Sequence, residues 1–290
     1  MTTFGFVVHP DRAGAQEAAA SLRGWLDRRG MTTRAASADA ELGPETAAFD
    51  EGLGVVVSVG GDGTFLRAAH VASRTGCPIL GVKVGRVGFL TEVEPAEAPA
   101  VLERVIEGTA RIEERLALVA EPDPGAGLPH QWALNEMIVE KSARHRLIRL
   151  GLFVGETYVT TLSADGVIVA TPTGSTAYSF SAGGPIVSPN MGGIVVTPVA
   201  AHMVFDRSLV LGAEEHVRLE VLGEEPGLLS ADGRESLELP VGSSVRIARA
   251  AEPARLIRRD DAPPFIALVR DKFELPDDAG GAPPAIGSPA

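Results

Sequence analysis

The sequence predicts an α/β domain built on a parallel sheet, followed by an all-β sandwich. Three observations predict it. In the first third, short β-branched runs alternate with segments of helical periodicity. From about Arg111 the texture changes to short β-like runs separated by Gly, Pro and acidic turns. The length of 290 residues favours two domains, each large enough for its own core. The expected division is 1–110 for the α/β domain and 111–275 for the sandwich, whose C-terminal part is free to return to the first domain. Residues 276–290, PDDAGGAPPAIGSPA with Pro276 first, have nothing to bury and read as a disordered tail.

The elements follow in order. FGFVVH reads as a strand. Ala15, Ala18, Ala19, Leu22 and Leu26 keep the i, i+3, i+4, i+7 spacing of an amphipathic helix, which Gly30 stops. GVVVSV is short and β-branched, as in a parallel strand covered on both faces. Phe65, Leu66 and Ala69 fall at helical spacing, PILGVK is another strand, and Val101, Leu102, Val105 and Ile106 mark a helix closed by Gly108. Beyond Arg111, RIEERLALVA, QWALNEMIVE, RLIRLGLFVG, GVIVA, GIVVTPV, SLVLG, HVRLEVL, SLELP and SVRIAR are the sandwich strands, and EPDPGAGL at 121–128 an exposed loop.

Composition sets limits. An apolar fraction of 45% and a charged fraction of 22% are those of a soluble globular protein. A net charge of −12 argues against broad binding to nucleic acid or anionic membranes. Cys77 is the single cysteine, so no intrachain disulfide forms, and before Pro78-Ile79-Leu80 it reads as a buried structural thiol. The opening residues lack a basic region before an apolar core, so no signal peptide is expected. The longest apolar stretch, Ile194 to Phe205, is broken by Pro198 and His202 and is too short to span a bilayer. A cytoplasmic protein is expected.

Two segments carry chemistry. The first is Gly60-Gly61-Asp62-Gly63-Thr64, between a strand and a helix. Its glycines let the backbone approach a ligand, and the free N–H groups of a helix start attract anions. It is not a Walker loop. Asp62 would repel a phosphate unless it ligates a metal, accepts a proton from an attacking hydroxyl, or is held back as a helix cap. Arg67, one turn on, either reaches a phosphate or is solvated. The second segment is SADGVIVATPTGSTAYSFSAGGPIVSP, 163–189, where hydroxyl-rich Thr171–Thr176 lead into a short helical piece, AYSFSA. It is either a self-capping turn or a cradle for a diphosphate and ribose. Upstream, Asn135 and Glu136 interrupt a strand-like run, where paired polar residues are costly unless satisfied by internal partners or by a ligand.

GGDGT, then GVKVGRVGFLTE, then NE, then DGVIVATPTGSTAYSFSAGGPIVSP, then TPVAAHMVFDRSLVL resemble the NAD kinases in order, spacing and wording, from Phe4 to about Leu275. GGDGT alone also occurs in lipid kinases and phosphofructokinases; the TPTGSTAY segment does not. The resemblance implies transfer of the γ-phosphate of ATP, or in some members of inorganic polyphosphate, to the adenosine 2′-hydroxyl of NAD. It also implies Mg²⁺ or Mn²⁺, whose ligands stay unassigned, and an α/β domain followed by a β-sandwich with the site between them. The expected assembly is a homodimer or homotetramer in which a neighbour supplies part of each site.

The same resemblance assigns roles. Asp62 would accept the proton, with Gly61, Gly63 and Thr64 letting NAD and the triphosphate approach. Asn135 and Glu136 would hold the nicotinamide-side ribose and carboxamide. Thr173, Gly174, Ser175, Thr176, Ala177 and Tyr178 would line the dinucleotide, Tyr178 near a base. Asp165 and Ser181 would complete the pocket, Asp165 reaching a neighbouring subunit's ligand. His202 and Asp232 are carried over with them, Arg146 is a phosphate contact, and Phe89 packs on the ligand or in the core. Lys83 stands where many relatives have Asn. As the end of the PILGV strand it is expected to face the Asp62 cleft, holding the phosphoryl donor or pairing with Asp62; the alternative is a snorkelling surface lysine. Two other functions stay open: a related kinase acting on a lipid or sugar-phosphate hydroxyl, which the acidic composition disfavours, and a catalytically weak NADP-binding regulator, against which Asp62, Asn135 and Glu136 argue.

Overall fold

The computed structural model describes residues 2–38, 47–85, 88–202, 206–234 and 236–275; the proposed tail lies outside them. The chain opens as β1 (Thr3–Val8), α1 (Ala13–Asp27), β2 (Thr32–Ser37), α2 (Ala47–Asp50), β3 (Leu53–Gly60), α3 (Asp62–Thr75), β4 (Ile79–Lys83) and α4 (Ala98–Ile106). β2, β1, β3 and β4 lie side by side and run parallel. The apolar stripe of α1 is buried at Ala15, Ala18, Ala19, Leu22 and Leu26, against Phe4, Phe6, Val55, Val57 and Val59 of the sheet. On the other face Phe65, Ala68, Ala69 and Ala72 of α3 cover Val56 and Ile79. β2 has no apolar periodicity, because TTRAAS forms the sheet edge and needs no fully buried side chain.

β5 (Arg111–Arg115) follows, and then the strands of the sandwich: β6 (Leu118–Pro122), β7 (Gln131–Ala133), β8 (Glu136–Lys141), β9 (Ile148–Val154), β10 (Thr157–Ala164) and β11 (Gly166–Ala170). After the short helix α5 (Tyr178–Ser181) come β12 (Gly193–Val199), β13 (Leu209–Gly212), β14 (Val217–Leu222), β15 (Gly227–Ala231), β16 (Leu237–Leu239) and β17 (Ser244–Arg249). One sheet has the order β10-β9-β14-β17-β6-β7 and the other β13-β12-β11-β8-β15-β16. Every pair in both is antiparallel. Their facing side chains, among them Leu150, Leu152, Val167, Val169, Ile194, Leu219 and Ile247, form one buried core.

β18 (Ala254–Arg258) then returns to pair parallel with β4, and β5 lies antiparallel beside it, so the first sheet is β2-β1-β3-β4-β18-β5. The run RIEERLALVA is therefore divided between the two domains: β5 completes the first, and β6 begins the second. The segment expected as an exposed loop at 121–128 starts inside β6, is exposed at Asp123, Pro124 and Gly125, and ends with Leu128 packed against the sandwich core. Helix α6 (Phe265–Lys272) closes the described chain. Cys77 is buried, its sulfur 3.0 Å from Thr75 Oγ1, and burial pushes the thiol up. Among the described residues no helix is long and apolar enough to cross a membrane.

Candidate active site

The site is built where the two domains meet. β3 delivers the chain to Gly61, and α3 begins at Asp62. The Asp62 carboxylate does not cap its own helix. Its Oδ2 accepts from Phe89 N–H at 2.8 Å, and its Oδ1 from the N–H groups of Leu90 and Thr91 and the Thr91 hydroxyl, each at 3.2 Å. Of the three readings of Asp62 the helix cap is thus set aside: its partner is a loop 27 to 29 residues further on. Gly88 is required by the same contact, since a Cβ there would stand 1.8 Å from Asp62 Oδ1.

Two clefts open beside Asp62. In one, of about 380 Å³, Gly63, Thr64 and Arg67 of α3 face Asp232 and Gly233 of the sandwich. In the other, of about 470 Å³, Asp62 is flanked by Arg12, Gly85 and Lys272. Arg12 and Lys272 have no assignment from sequence. Arg12 follows β1, so the rule that ligands gather at strand carboxyl ends points to it, whereas a lone lysine in α6 carries no local signal.

Across the first cleft Asp232 organises the Asn135-Glu136 pair. It sits at φ +50, and its carboxylate accepts from Leu134 N–H at 2.7 Å, Asn135 N–H at 2.8 Å and Glu136 N–H at 3.1 Å. Burial pushes this carboxyl up, and the three N–H donors oppose the shift. The sequence places Asp232 among the ligand contacts; its carboxylate is instead turned inward, onto the backbone that presents Asn135 and Glu136.

That presentation leaves two buried acceptors with no partner among the described residues, Asn135 Oδ1 and Glu136 Oε2. Burial, with Asp232 nearby, pushes Glu136 up to about 8, against a hydrogen bond from the Tyr178 backbone. The sign of the pH dependence follows. Between the ordinary value of 4.5 and about 8 the folded chain holds a proton that the unfolded chain releases, so stability falls as pH rises through this window. The slope approaches about 1.4 kcal/mol per pH unit for one group. Thermal melts of the free protein across this range should show that decline, and Glu136→Gln should flatten it; parallel curves would refute the assignment.

The hydroxyl-rich turn is seated directly on this pair. Thr171 Oγ1 donates to Leu134 O at 2.6 Å and accepts from Gly174 N–H at 3.0 Å. A Cβ on Gly174 would stand 2.1 Å from Asn135 O, so only glycine allows the approach. Thr173 is buried, its hydroxyl 3.3 Å from Arg115 Nη1. Thr176, Ala177, Tyr178 and Ser181 keep exposure.

Ser175 corrects an expectation. It is fully buried, and its hydroxyl donates to Pro172 O at 2.7 Å and accepts from Val187 N–H at 2.9 Å. The side chain closes the turn and has no free face for a dinucleotide. Ser175→Val should strand these groups at about 2–3 kcal/mol and lower the melting temperature by roughly 4–12 °C. A melt within about 2 °C of the parent would contradict this role.

Three expected residues lie elsewhere. β11 runs antiparallel to β8 with Ala170 opposite Glu136 and Gly166 opposite Glu140. Asp165, just before β11, is therefore about 17 Å from the Asn135-Glu136 end, at about 3.4 Å per residue; it pairs with Lys141 at 2.5 Å. His202 is exposed, its N–H bonded to Ser163 O at 2.9 Å at that same far end. Arg146, in the β8–β9 connection, pairs with Glu225 at 2.8 Å. Lys83 also departs from expectation: its ammonium meets Glu94 at 2.7 Å and does not line either Asp62 cleft. Phe89 packs with Phe265 and Phe273, ring centroids 6.3 and 6.2 Å away.

Comparison with known proteins agrees with this architecture. The ATP-NAD kinase N-terminal domain model matches residues 4–110 and the ATP-NAD kinase C-terminal domain model residues 134–259. The chain is 40% identical over 281 residues to a NAD kinase of Heliobacterium modesticaldum, covering 94% of this chain and 99% of that one. It is 42% identical over 238 residues to a NAD kinase of Rhodococcus opacus, covering 81% and 73%. Among solved structures, a yeast NADH kinase complexed with NADH shares the fold at a TM-score of 0.84 and 22% identity, over 95% of this chain and 88% of that one. A NAD kinase from Archaeoglobus fulgidus in complex with ATP superposes at a TM-score of 0.75 and 25% identity, over 94% and 99%. With both domain models matched in order and full-length relatives at this identity, the chain belongs to the NAD kinase family, phosphotransferases that act on a hydroxyl group.

Proposed function

We propose that the protein transfers the γ-phosphate of ATP to the adenosine 2′-hydroxyl of NAD, making NADP. The observation that carries this reading is the pair of buried, unpartnered acceptors, Asn135 Oδ1 and Glu136 Oε2, beside the Thr173–Tyr178 turn. Buried polar atoms are almost always paired; a carboxamide N–H suits Asn135 Oδ1, and a ribose hydroxyl, which both donates and accepts, suits Glu136 with or without its proton. Tyr178 and Thr176 then flank the dinucleotide, and Gly63 and Thr64 border its path toward Asp62.

Asp62 is the proton acceptor of this reading. A hydroxyl is a poor nucleophile at neutral pH, and a fixed carboxylate at its proton side lowers the barrier. The donors from residues 89–91 hold that carboxylate in one orientation; Oδ1 is taken up by Leu90 N–H, Thr91 N–H and the Thr91 hydroxyl, and Oδ2, which accepts only from Phe89 N–H, retains acceptor capacity. Among the described residues no group of three or more His, Cys, Asp or Glu side chains is arranged to hold a metal ion. This donor set fits Mg²⁺ or Mn²⁺ only in the manner of kinases, where phosphates and water supply most ligands and Asp62 is the available carboxylate. When bound, such an ion neutralises charge on the phosphoryl group in transfer.

The far-end position of Asp165 and His202 supports a homo-oligomer, dimer or tetramer, in which these residues serve a neighbour's site. A cytoplasmic location belongs to the same reading. Incubating the purified chain with NAD and Mg²⁺ tests it, with ATP and polyphosphate as alternative donors and NADP measured by a coupled dehydrogenase. No NADP with either donor would defeat the proposal.

A further inference from the structure

We infer that Lys272 and Arg12 hold the phosphates of the phosphoryl donor, an inference that rests on the function proposed above. The cleft of about 470 Å³ beside Asp62 receives two basic side chains from distant parts of the chain, Arg12 from the β1–α1 connection and Lys272 from the end of α6. Arg12 Nη1 donates to Val84 O at 2.7 Å and stands 3.6 and 3.5 Å from where a Cβ would lie on Gly61 and Gly85. The guanidinium is thus fixed over glycine backbone.

Neither Arg12 nor Lys272 forms an ion pair with a carboxylate among the described residues, although acidic groups outnumber basic ones, 38 to 26. Several basic side chains elsewhere are neutralised, as Lys83 is by Glu94, Lys141 by Asp165 and Arg259 by Glu97. Asp62 is the one carboxylate among the described lining residues, and residues 89–91 already engage its oxygens. Two unneutralised cations beside the reacting carboxylate suit a polyanion: a guanidinium binds phosphate oxygens in pairs, and an ammonium acts as a compact charge.

The seat of Lys272 is part of the site. Phe273, the next residue, has its ring 4.5 Å from Phe180 of α5 and 6.2 Å from Phe89 in the loop that grips Asp62. Phe265, at the start of α6, packs on the same Phe89 at 6.3 Å. The helix therefore bridges the dinucleotide turn and the Asp62 loop, and its last residue enters the cleft between them. Because the two cations address phosphate and not a base, ATP and inorganic polyphosphate would depend on them alike.

The test is titration calorimetry of the full chain and of Lys272→Met with sodium tripolyphosphate, ATP and NAD in turn. The variant should bind tripolyphosphate and ATP at least tenfold more weakly and NAD within threefold of the parent, and Lys272→Arg should recover most of the loss. Arg12→Met, on a separate element, should reproduce the pattern and serves in place of Lys272→Met should that variant melt early. Unchanged tripolyphosphate affinity, a parent chain that does not bind tripolyphosphate, or an equal loss for NAD would overturn the inference. The two readings fail separately. A chain that makes no NADP yet loses tripolyphosphate with Lys272 keeps the phosphate subsite, and a chain that makes NADP with Lys272→Met at parental donor affinity keeps the activity alone.

Discussion

Asp62→Asn is expected to lower turnover by about 10²–10⁴ while NAD affinity stays within about threefold. The substitution keeps the volume of the side chain and removes the proton acceptor. It also puts an NH₂ group where a carboxylate oxygen now receives either Phe89 N–H or the N–H groups of Leu90 and Thr91. One of these donors then faces another donor, so the melting temperature should drop by a few degrees as well. Calorimetric NAD binding separates the two effects, because a loss of turnover with NAD still bound belongs to the chemistry and not to a collapsed cleft. Turnover within about fivefold of the parent would leave Asp62 as an anchor for residues 89–91 and remove it from the mechanism.

What was legible in the sequence, and what was not, divides along the range of the interactions. Ala15, Ala18, Ala19, Leu22 and Leu26 announce α1 because burial on one face of a helix is a local pattern, and all five are buried. The β-branched run of β3 is legible for the same reason. β2 was not, because an edge strand needs no apolar alternation, and β5 could not be assigned to a sheet, because a strand's pattern does not name its neighbour. The site follows the same division. The glycines of GGDGT and the polar pair Asn135-Glu136 stand out against their surroundings. Ser175 and Thr176, adjacent hydroxyl residues in one turn, differ only in which way the backbone points them, and that is set by Val187 at a distance. The seat of Lys83 is not legible locally, because its partner Glu94 lies beyond the strand whose end it marks.

Asp232→Ala should destabilise the free protein by about 3–5 kcal/mol, a fall of roughly 6–20 °C in melting temperature. Three backbone N–H donors, at Leu134, Asn135 and Glu136, lose their only side-chain acceptor among the described residues. Alanine also tolerates the φ of +50 less well than Asp, adding about 1 kcal/mol of backbone strain. NAD affinity should fall with stability, because the same N–H groups fix the strand end that presents Asn135 and Glu136. Asp232→Asn, which keeps one oxygen for the backbone, should melt between the parent and Asp232→Ala and still bind NAD at least tenfold more weakly than the parent. A direct contact between Asp232 and the dinucleotide predicts something different: lost NAD affinity with no change in the melt of the unliganded chain. The unliganded melt is therefore the deciding measurement. If it is unmoved in Asp232→Ala, the inward-facing carboxylate is not what holds the pair in place, and the role of Asp232 reverts to the ligand contact expected from sequence.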